Sequence, residues 1–178
     1  GSPTPAVVFM ASAVKAAAFA GLLRVLVEAF RAYGDEWQPF VFALSVATLL
    51  VGALLAVVQD DVKRLLAYSA IAHAGYLLLG VAVTIAAGAT AVVFYMAVYL
   101  FMTLGAFYMV GVVERETGRA DIDAFEGLGF RAPVLGVCMA IALVGLTGLP
   151  PTAGFLGKYF LLQQVFSYGG AHDSMLFF

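Results

Sequence analysis

The chain has 178 residues, of which 63% are hydrophobic and only 11% are charged. An ordinary soluble domain carries roughly 25% charged residues, so this composition excludes a soluble globular protein. A membrane-spanning helix needs about 20 apolar residues, which leaves room for about six to eight crossings and for no separate soluble domain. The net charge of -2 also excludes the basic surface that nucleic-acid binding requires.

Cysteine and histidine are too scarce for metal or redox chemistry. Cys138 is the single cysteine, so the chain has no disulfide partner and no CxxC pair for a metal or iron–sulfur site. The histidines are His73 and His172, and two histidines without a cysteine pair are too few for a metal site. We therefore expect no metal and no cofactor in this chain.

The charged residues occur in clusters, and the apolar stretches between them predict membrane-spanning helices. The predicted spans are residues 5–30, 38–59, 65–86, 89–113 and 132–170, within one transmembrane domain over residues 1–178. We expect the third and fourth spans to turn near Ala86-Ala87-Gly88. The apolar runs lack the alternation of barrel strands. The predicted fold is therefore an all-α, polytopic transmembrane helix bundle.

Basic residues predict the orientation, because short loops rich in lysine and arginine stay in the cytoplasm. The loops after the second and fourth spans hold most of them: Lys63, Arg64, Arg115, Arg119 and Arg131. We expect both loops to face the cytoplasm, with the first span running outward.

The last apolar stretch contains Pro150-Pro151, where two prolines remove backbone donors and fix φ. A continuous helix is excluded there. The chain either forms a hairpin between two spans or a single discontinuous helix with an unwound middle. Broken helices mark ion and substrate sites in transporters, which favours the discontinuous helix as the functional arrangement.

Two lysines and a histidine lie at membrane depth. Lys15 is roughly 15 Å from Pro5 at helical rise, about half of a ~30 Å hydrocarbon core. A charge at that depth is costly, so Lys15 is either an internally satisfied structural lysine or a proton carrier. The small residues Ala13, Ala17 and Gly21 predict close helix packing on one side of this span.

The other candidates lie in the third and last spans. Lys158 follows the proline pair and either extends to the interface beside a hairpin tip or joins a proton path beside an unwound segment. His73 is about 13 Å beyond Arg64, and its ordinary titration range suits proton exchange, although a structural polar contact is equally compatible. Lys63, at a membrane edge next to Arg64, is most simply a solvated residue that sets topology.

Three segments resemble a known family: SPTPAVVFMASAVKAAAFAGLLR, DDVKRLLAYSAIAHAGYLLLG and GLTGLPPTAGFLGKYFLL. They resemble the antiporter-like subunit N of proton-pumping NADH:quinone oxidoreductase, complex I. The resemblance runs nearly end to end and implies a fragment covering roughly helices 8 to 12 and the start of 13. The N-terminus, which has no initiator Met and no signal-peptide pattern, is expected to be a loop of that longer subunit.

The resemblance implies a proton translocation path through Lys15, Lys158, His73 and Lys63. It implies Lys15 as the helix-8 lysine and Lys158 as the lysine of a discontinuous twelfth helix, broken at Pro150-Pro151. The enzyme would be a translocase with no redox centre in this chain, while NADH, FMN, iron–sulfur clusters and quinone belong to the parent complex. The expected partners are the lipid bilayer and other membrane subunits, including neighbouring antiporter-like subunits, in the bacterial inner membrane.

Two other functions stay open at this point. The large subunits of multisubunit cation/proton antiporters share these helices and lysines, and they need no redox partner. A purely structural membrane subunit would tolerate the loss of Lys15 as long as assembly survived.

Overall fold

The computed structural model describes residues 9–83 and 89–175, without the side chains of Ala11 and of residues 168–175. The predicted turn at Ala86-Ala87-Gly88 and the side chain of His172 therefore lie outside the described residues. Helices account for nearly all of the described chain, as expected of an all-α membrane bundle. The predicted fold class is confirmed.

The first helical segment is continuous and contains α1, Lys15–Arg24, between π-helical turns at Met10–Val14 and Val25–Ala29. A short 3₁₀ turn, Arg31–Tyr33, leads into α2, Gly34–Val57. The next two helices are α3, Val62–Ala82, and α4, Thr90–Thr117. Three of the described helices are long and apolar enough to cross a membrane: Arg31–Val57, Val62–Ala82 and Thr90–Thr117.

The loops after α2 and after α4 lie together at one end of the bundle. The Val62 amide donates to the Ala120 carbonyl at 2.8 Å, and the Ile122 amide donates to the Asp60 carbonyl at 2.9 Å. The Asp61 side chain caps α3 by accepting from the Arg64 amide. The two basic loops therefore share one face of the bundle, and the assignment of that face to the cytoplasm stays a prediction.

Close packing of α2 on α3 depends on glycines. A Cβ on Gly52 would lie 2.5 Å from the backbone nitrogen of Ala72, and one on Gly75 would lie 2.8 Å from the backbone nitrogen of Leu49. No side chain fits at either position. Glycine therefore allows the backbones of α2 and α3 to approach closely, as small residues do between membrane helices. The opposite side of α2 is apolar and exposed, with Phe40 79%, Leu54 69% and Val57 85% exposed.

The end of the chain forms a short helix α5, Leu128–Arg131, followed by α6, Pro133–Thr147, and α7, Ala153–Met175. The helices stop on either side of Pro150-Pro151, so the predicted interruption is confirmed. Along α6 and α7, successive residues meet α4 in reverse order: Ala142 with Gly105, Gly145 with Met102, Gly157 with Tyr95, and Phe160 with Phe94. In a hairpin, α7 would run along α4 in the direction opposite to α6. Here α6 and α7 run along α4 in the same direction, and this order favours one discontinuous helix.

Candidate functional site

Lys15 lies on the face of α1 that packs into the bundle. The buried residues around it are Ser12, Phe19 and Leu23, at helical spacing. Its ammonium group donates to the Ala70 carbonyl of α3 at 2.5 Å and to the Tyr99 hydroxyl of α4 at 3.5 Å. The first helix thus delivers one amine to a position between α3 and α4.

The small-residue stripe on this helix does not pack against the other described helices, so close packing on that side stays a prediction. Ala17 and Gly21 are exposed, and a Cβ on Gly21 would meet nothing within 4 Å. The larger side chains Phe19 and Leu23 bury more apolar surface, and they determine which side of the helix turns inward.

His73 occupies the centre of the site on α3 and is only 4% exposed. Its Nδ1 atom lies 2.5 Å from the hydroxyl of Tyr95. Its ring lies 5.0 Å from the ring of Tyr99 and 6.3 Å from the ring of Tyr76, measured between centroids. We refer to His73, Tyr76, Tyr95 and Tyr99 as the histidine–tyrosine cluster.

Lys158 projects from α7 back to the end of α6. Its ammonium group donates to the carbonyls of Leu146 and Thr147, at 2.9 and 3.0 Å. The last carbonyls of a helix have no partners within the helix and carry the negative end of its dipole, so a cation is favoured there. The interruption after Thr147 therefore creates the binding site that holds this lysine.

Gly148 makes this arrangement possible. It ends α6 with a φ of 78°, a left-handed conformation that glycine adopts without a steric penalty. A Cβ on Gly148 would also lie 3.0 Å from Cδ and 3.3 Å from Nζ of Lys158. Position 148 is thus restricted to glycine both by its left-handed backbone conformation and by the Lys158 side chain beside it.

The histidine–tyrosine cluster connects the two lysines. The Lys15 nitrogen lies 5.3 Å from the centre of the Tyr99 ring, and the Lys158 nitrogen lies 5.1 Å from the centre of the Tyr76 ring. Both distances are within the range of cation–π attraction. Each of these rings also packs against His73. Lys15, His73 and Lys158 therefore form one connected group.

Neither of these lysines is paired with an acid among the side chains that the structure describes. The ion pairs in that part of the chain are Arg24–Glu28, Lys63–Glu114 and Arg119–Asp121. Lys15 and Lys158 instead meet carbonyl oxygens and aromatic faces. In that part of the chain, neither amine therefore serves as the counterion of a buried carboxylate. Either amine could lose its proton and no such acid would lose its counterion.

A cavity of about 240 Å³ lies beside His73, Tyr76 and Lys158. Ser69, on the N-terminal side of His73 in α3, lines part of the cavity, and Leu143 and Leu146 of α6 line another part. The cavity opens to the surface of the described chain and most of its lining is apolar, with Ser69, His73 and Lys158 among the polar groups that water can bridge. The site therefore has space for water beside Lys158.

Lys63 is not part of this connected group. Its ammonium group lies 2.6 Å from Oε1 of Glu114, and its side chain is only 18% exposed. The prediction of a solvated residue was therefore wrong, because the pair lies between α3 and α4. Ten residues separate Lys63 from His73 on α3, a rise of about 15 Å.

The three tyrosines of the cluster were missed as site residues by the sequence analysis. Tyr95 and Tyr99 are four residues apart in the part of α4 that carries no charged residue, which places both hydroxyls on one face. Tyrosine hydroxyls buried in a membrane segment need hydrogen-bond partners, as His73 and Lys15 provide here. The four-residue spacing of Tyr95 and Tyr99 was the feature of the sequence that could have identified them. It was overlooked because a tyrosine side chain carries no charge.

The fold and the site define a class: an integral membrane helix bundle that holds two amines and an imidazole in its interior beside a broken helix. The family described as "NADH:quinone oxidoreductase/Mrp antiporter, TM" matches residues 1–178, and the chain belongs to this family.

Curated relatives refine the likeness within that family. The chain is 47% identical to "NADH-quinone oxidoreductase subunit N 2" of Sorangium cellulosum strain So ce56, over 96% of this chain and 35% of that protein. It is 44% identical to subunit N of Acidothermus cellulolyticus strain 11B, over 96% of the chain and 33% of that protein. It is 42% identical to subunit N of Mycobacterium tuberculosis strain H37Rv, over 95% of the chain and 33% of that protein.

The chain thus spans about a third of the length of the curated relatives that it matches. The resemblance to subunit N, inferred from the three sequence segments, is confirmed by these comparisons.

Proposed function

We propose that this chain is the part of a subunit N that carries protons through the membrane arm of an NADH:quinone oxidoreductase, in the inner membrane of a bacterium. The family and the names of the relatives support this assignment. The chemistry would depend on Lys15, His73 and Lys158 in this chain. NADH, FMN, iron–sulfur clusters and quinone would bind to other subunits, and their redox energy would drive the protons.

The observation that carries the proposal is the convergence of two amines and an imidazole, with no carboxylate partner among the described side chains. A lysine bound to a buried acid is held in its charged form. An amine among carbonyls and aromatic faces can release a proton and remain hydrogen-bonded as a neutral group. The site is therefore built for amines that change their charge during a cycle.

Mutual repulsion gives the amines a way to move protons. Like charges disfavour each other's protonated forms, so protonation at one member of the connected group promotes proton release at the next. His73 lies between them, and an imidazole can accept or donate a proton. We propose that protons pass between Lys15 and Lys158 through the histidine–tyrosine cluster and water in the adjoining cavity.

Lys63 does not fit this path, although the family resemblance suggested it. Its place in an ion pair with Glu114 supports a role in holding α3 against α4. The exposed apolar side of α2 fits contact with lipid or with neighbouring membrane subunits. These subunits would include other antiporter-like members of the membrane arm.

A second candidate follows from the family description, which also includes the Mrp antiporters. In that case the same lysines would exchange protons for another cation, and no redox energy would be used. The names of the three relatives favour the oxidoreductase. A structural subunit is the remaining alternative, and it predicts that the lysines can be replaced without loss of transport.

The first experiment purifies the assembly that contains the tagged, full-length subunit from its own host in mild detergent. We expect NADH-driven quinone reduction in a preparation that contains flavin and iron–sulfur subunits. An assembly without redox centres that exchanges cations for protons would identify an antiporter instead. Either outcome assigns the driving force without reference to the lysines.

The second experiment replaces Lys158 by Met in the same assembly, reconstituted in vesicles. We expect proton translocation to fall strongly, together with quinone reduction if the two processes are tightly coupled. The control is Arg24→Met, which removes a charge from an exposed i,i+4 pair. Unchanged translocation in the Lys158 variant would support the structural alternative.

A further inference from the structure

Tyr95 connects three helices at the centre of the bundle. It belongs to α4 and is completely buried. Its hydroxyl contacts Nδ1 of His73 on α3, and its ring lies against Gly157 on α7. The residue that follows Gly157 is Lys158, so Tyr95 contacts the helix position next to one site lysine and the site histidine at the same time.

The ring position requires the glycine on α7. A Cβ at position 157 would lie 2.5 Å from Cδ2 of Tyr95, closer than real contacts allow. The close approach therefore places the tyrosine ring against the α7 backbone and aims its hydroxyl at His73. This geometry restricts the imidazole from one side, because His73 is packed between this hydroxyl and the rings of Tyr76 and Tyr99.

The two nitrogens of a neutral imidazole have different roles, one as a donor and the other as an acceptor. The hydrogen bond made by one nitrogen determines which nitrogen is available for other partners. Because the Tyr95 hydroxyl engages Nδ1, the other nitrogen, Nε2, is left to exchange protons. We propose that Tyr95 is the positioning residue of His73, and that it reserves Nε2 for proton exchange. This inference rests on the proposed function.

Other titratable groups also face this pair. They come from the first helix, from α3 itself, from α4 and from α7, and they are Lys15, Tyr76, Tyr99 and Lys158. Where α2 packs against α3, at Gly75, the neighbouring residues are Ser45 and Leu49, which do not titrate. A test must therefore separate an effect through His73 from a general change in the electrostatics of the site.

The test uses Tyr95→Phe in the complete assembly, with Tyr108→Phe as the matched control. Tyr108 is on the same helix but is 66% exposed. We expect about fivefold slower NADH-driven proton uptake by vesicles in the Tyr95 variant, the size of one ordinary hydrogen bond. We expect no change in the Tyr108 variant. Equal rates for the Tyr95 variant and the parent would overturn the inference.

A double-variant cycle shows whether Tyr95 acts through His73. In a His73→Gln background, Tyr95→Phe should have no further effect, because the group that it positions is gone. A full fivefold loss in that background would mean that Tyr95 has a general packing role, and it would contradict the inference. A merely structural role predicts independent effects of the two substitutions.

A second probe avoids any loss of assembly. Fluorinated tyrosine at position 95 keeps the ring and the hydroxyl but makes the hydroxyl more acidic. We expect it to shift the pH profile of proton uptake, whereas the same residue at position 108 should leave the profile unchanged. An unshifted profile at position 95 would overturn the inference.

These outcomes are separable from a failure of the proposed function. If Lys158→Met leaves proton translocation intact, the proposed function fails whatever Tyr95 does. If Lys158→Met abolishes translocation and Tyr95→Phe is silent, the proposed function stands and only the positioning role is lost.

Discussion

The ion pair between Lys63 and Glu114 predicts that Lys63 stabilises the bundle and does not carry protons. Lys63→Met would leave Glu114 without this counterion between α3 and α4. Exposed ion pairs contribute about 0–1 kcal/mol, whereas breaking a buried pair costs about 3–5 kcal/mol. The two side chains are 18% and 34% exposed, so we expect an intermediate loss of about 1–3 kcal/mol in the stability of this contact.

The assay measures the half-life of the purified assembly at raised temperature and, separately, the number of protons translocated per electron. We expect a shorter half-life with an unchanged proton-to-electron ratio in the fraction that survives. Lys63→Met combined with Glu114→Gln should recover part of the stability, since the charge that Lys63 balanced is removed as well. Arg119→Met is the control, because it breaks a more exposed pair with Asp121 in a neighbouring loop.

The refuting result for Lys63 is specific. A lower proton-to-electron ratio in an assembly of normal abundance and normal half-life would place Lys63 on the proton path. It would also show that the separation of about 15 Å along α3 is bridged by groups or water outside the contacts identified in this chain.

Three further substitutions test the site and its supporting packing. Tyr76→Leu removes the aromatic face beside Lys158 and should slow proton uptake about tenfold or more. Tyr76→Phe keeps the aromatic face and should have a smaller effect. Equal effects of the two substitutions would exclude a cation–π contribution. Gly148→Ala should displace the Lys158 amine and strain the left-handed backbone, with the backbone strain costing about 1–2 kcal/mol. We therefore expect slower proton uptake. A normal rate of uptake would refute this prediction. Gly52→Val should greatly lower the amount of assembled subunit in membranes, while Gly21→Val, in open space, should not; similar amounts for both variants would contradict the packing of α2 on α3.

The helices could be predicted from the distribution of charge, but their ends could not. The uncharged stretch at residues 37–59 suggested the second helix, yet α2 begins at Gly34 and includes Asp35 and Glu36 in its first turn. Acidic residues are favoured at the positive end of a helix dipole, so a charge there does not end the helix. Similarly, α4 continues to Thr117, past Glu114 and Arg115, before Gly118 ends it.

The charged residues of the candidate site were also predictable. Burying a charged amine at membrane depth costs free energy, so a lysine there indicates a structural or functional role. Lys15 and Lys158 were identified in this way, and His73 was identified by its titration range. The contacts between them were not predictable, since they depend on how closely α3, α4 and α7 approach. That approach is set by glycines such as Gly157, whose role appears only when the facing tyrosine is known.

The choice between a hairpin and a broken helix at Pro150-Pro151 could not be made from local sequence. Both arrangements need the same prolines and the same glycine after α6. What distinguishes them is the direction in which α7 continues along α4. The contacts of Gly157 and Phe160 with the first half of α4 provide that information.

The most direct test of the central claim is the number of protons translocated per electron in vesicles that contain the Lys15→Met assembly. The claim is that the amine held by the Ala70 carbonyl and the Tyr99 hydroxyl carries a proton in each cycle. We predict that the ratio falls, or that turnover stops, in an assembly of normal abundance. A normal ratio at normal turnover would contradict the claim and leave Lys15 as a structural residue.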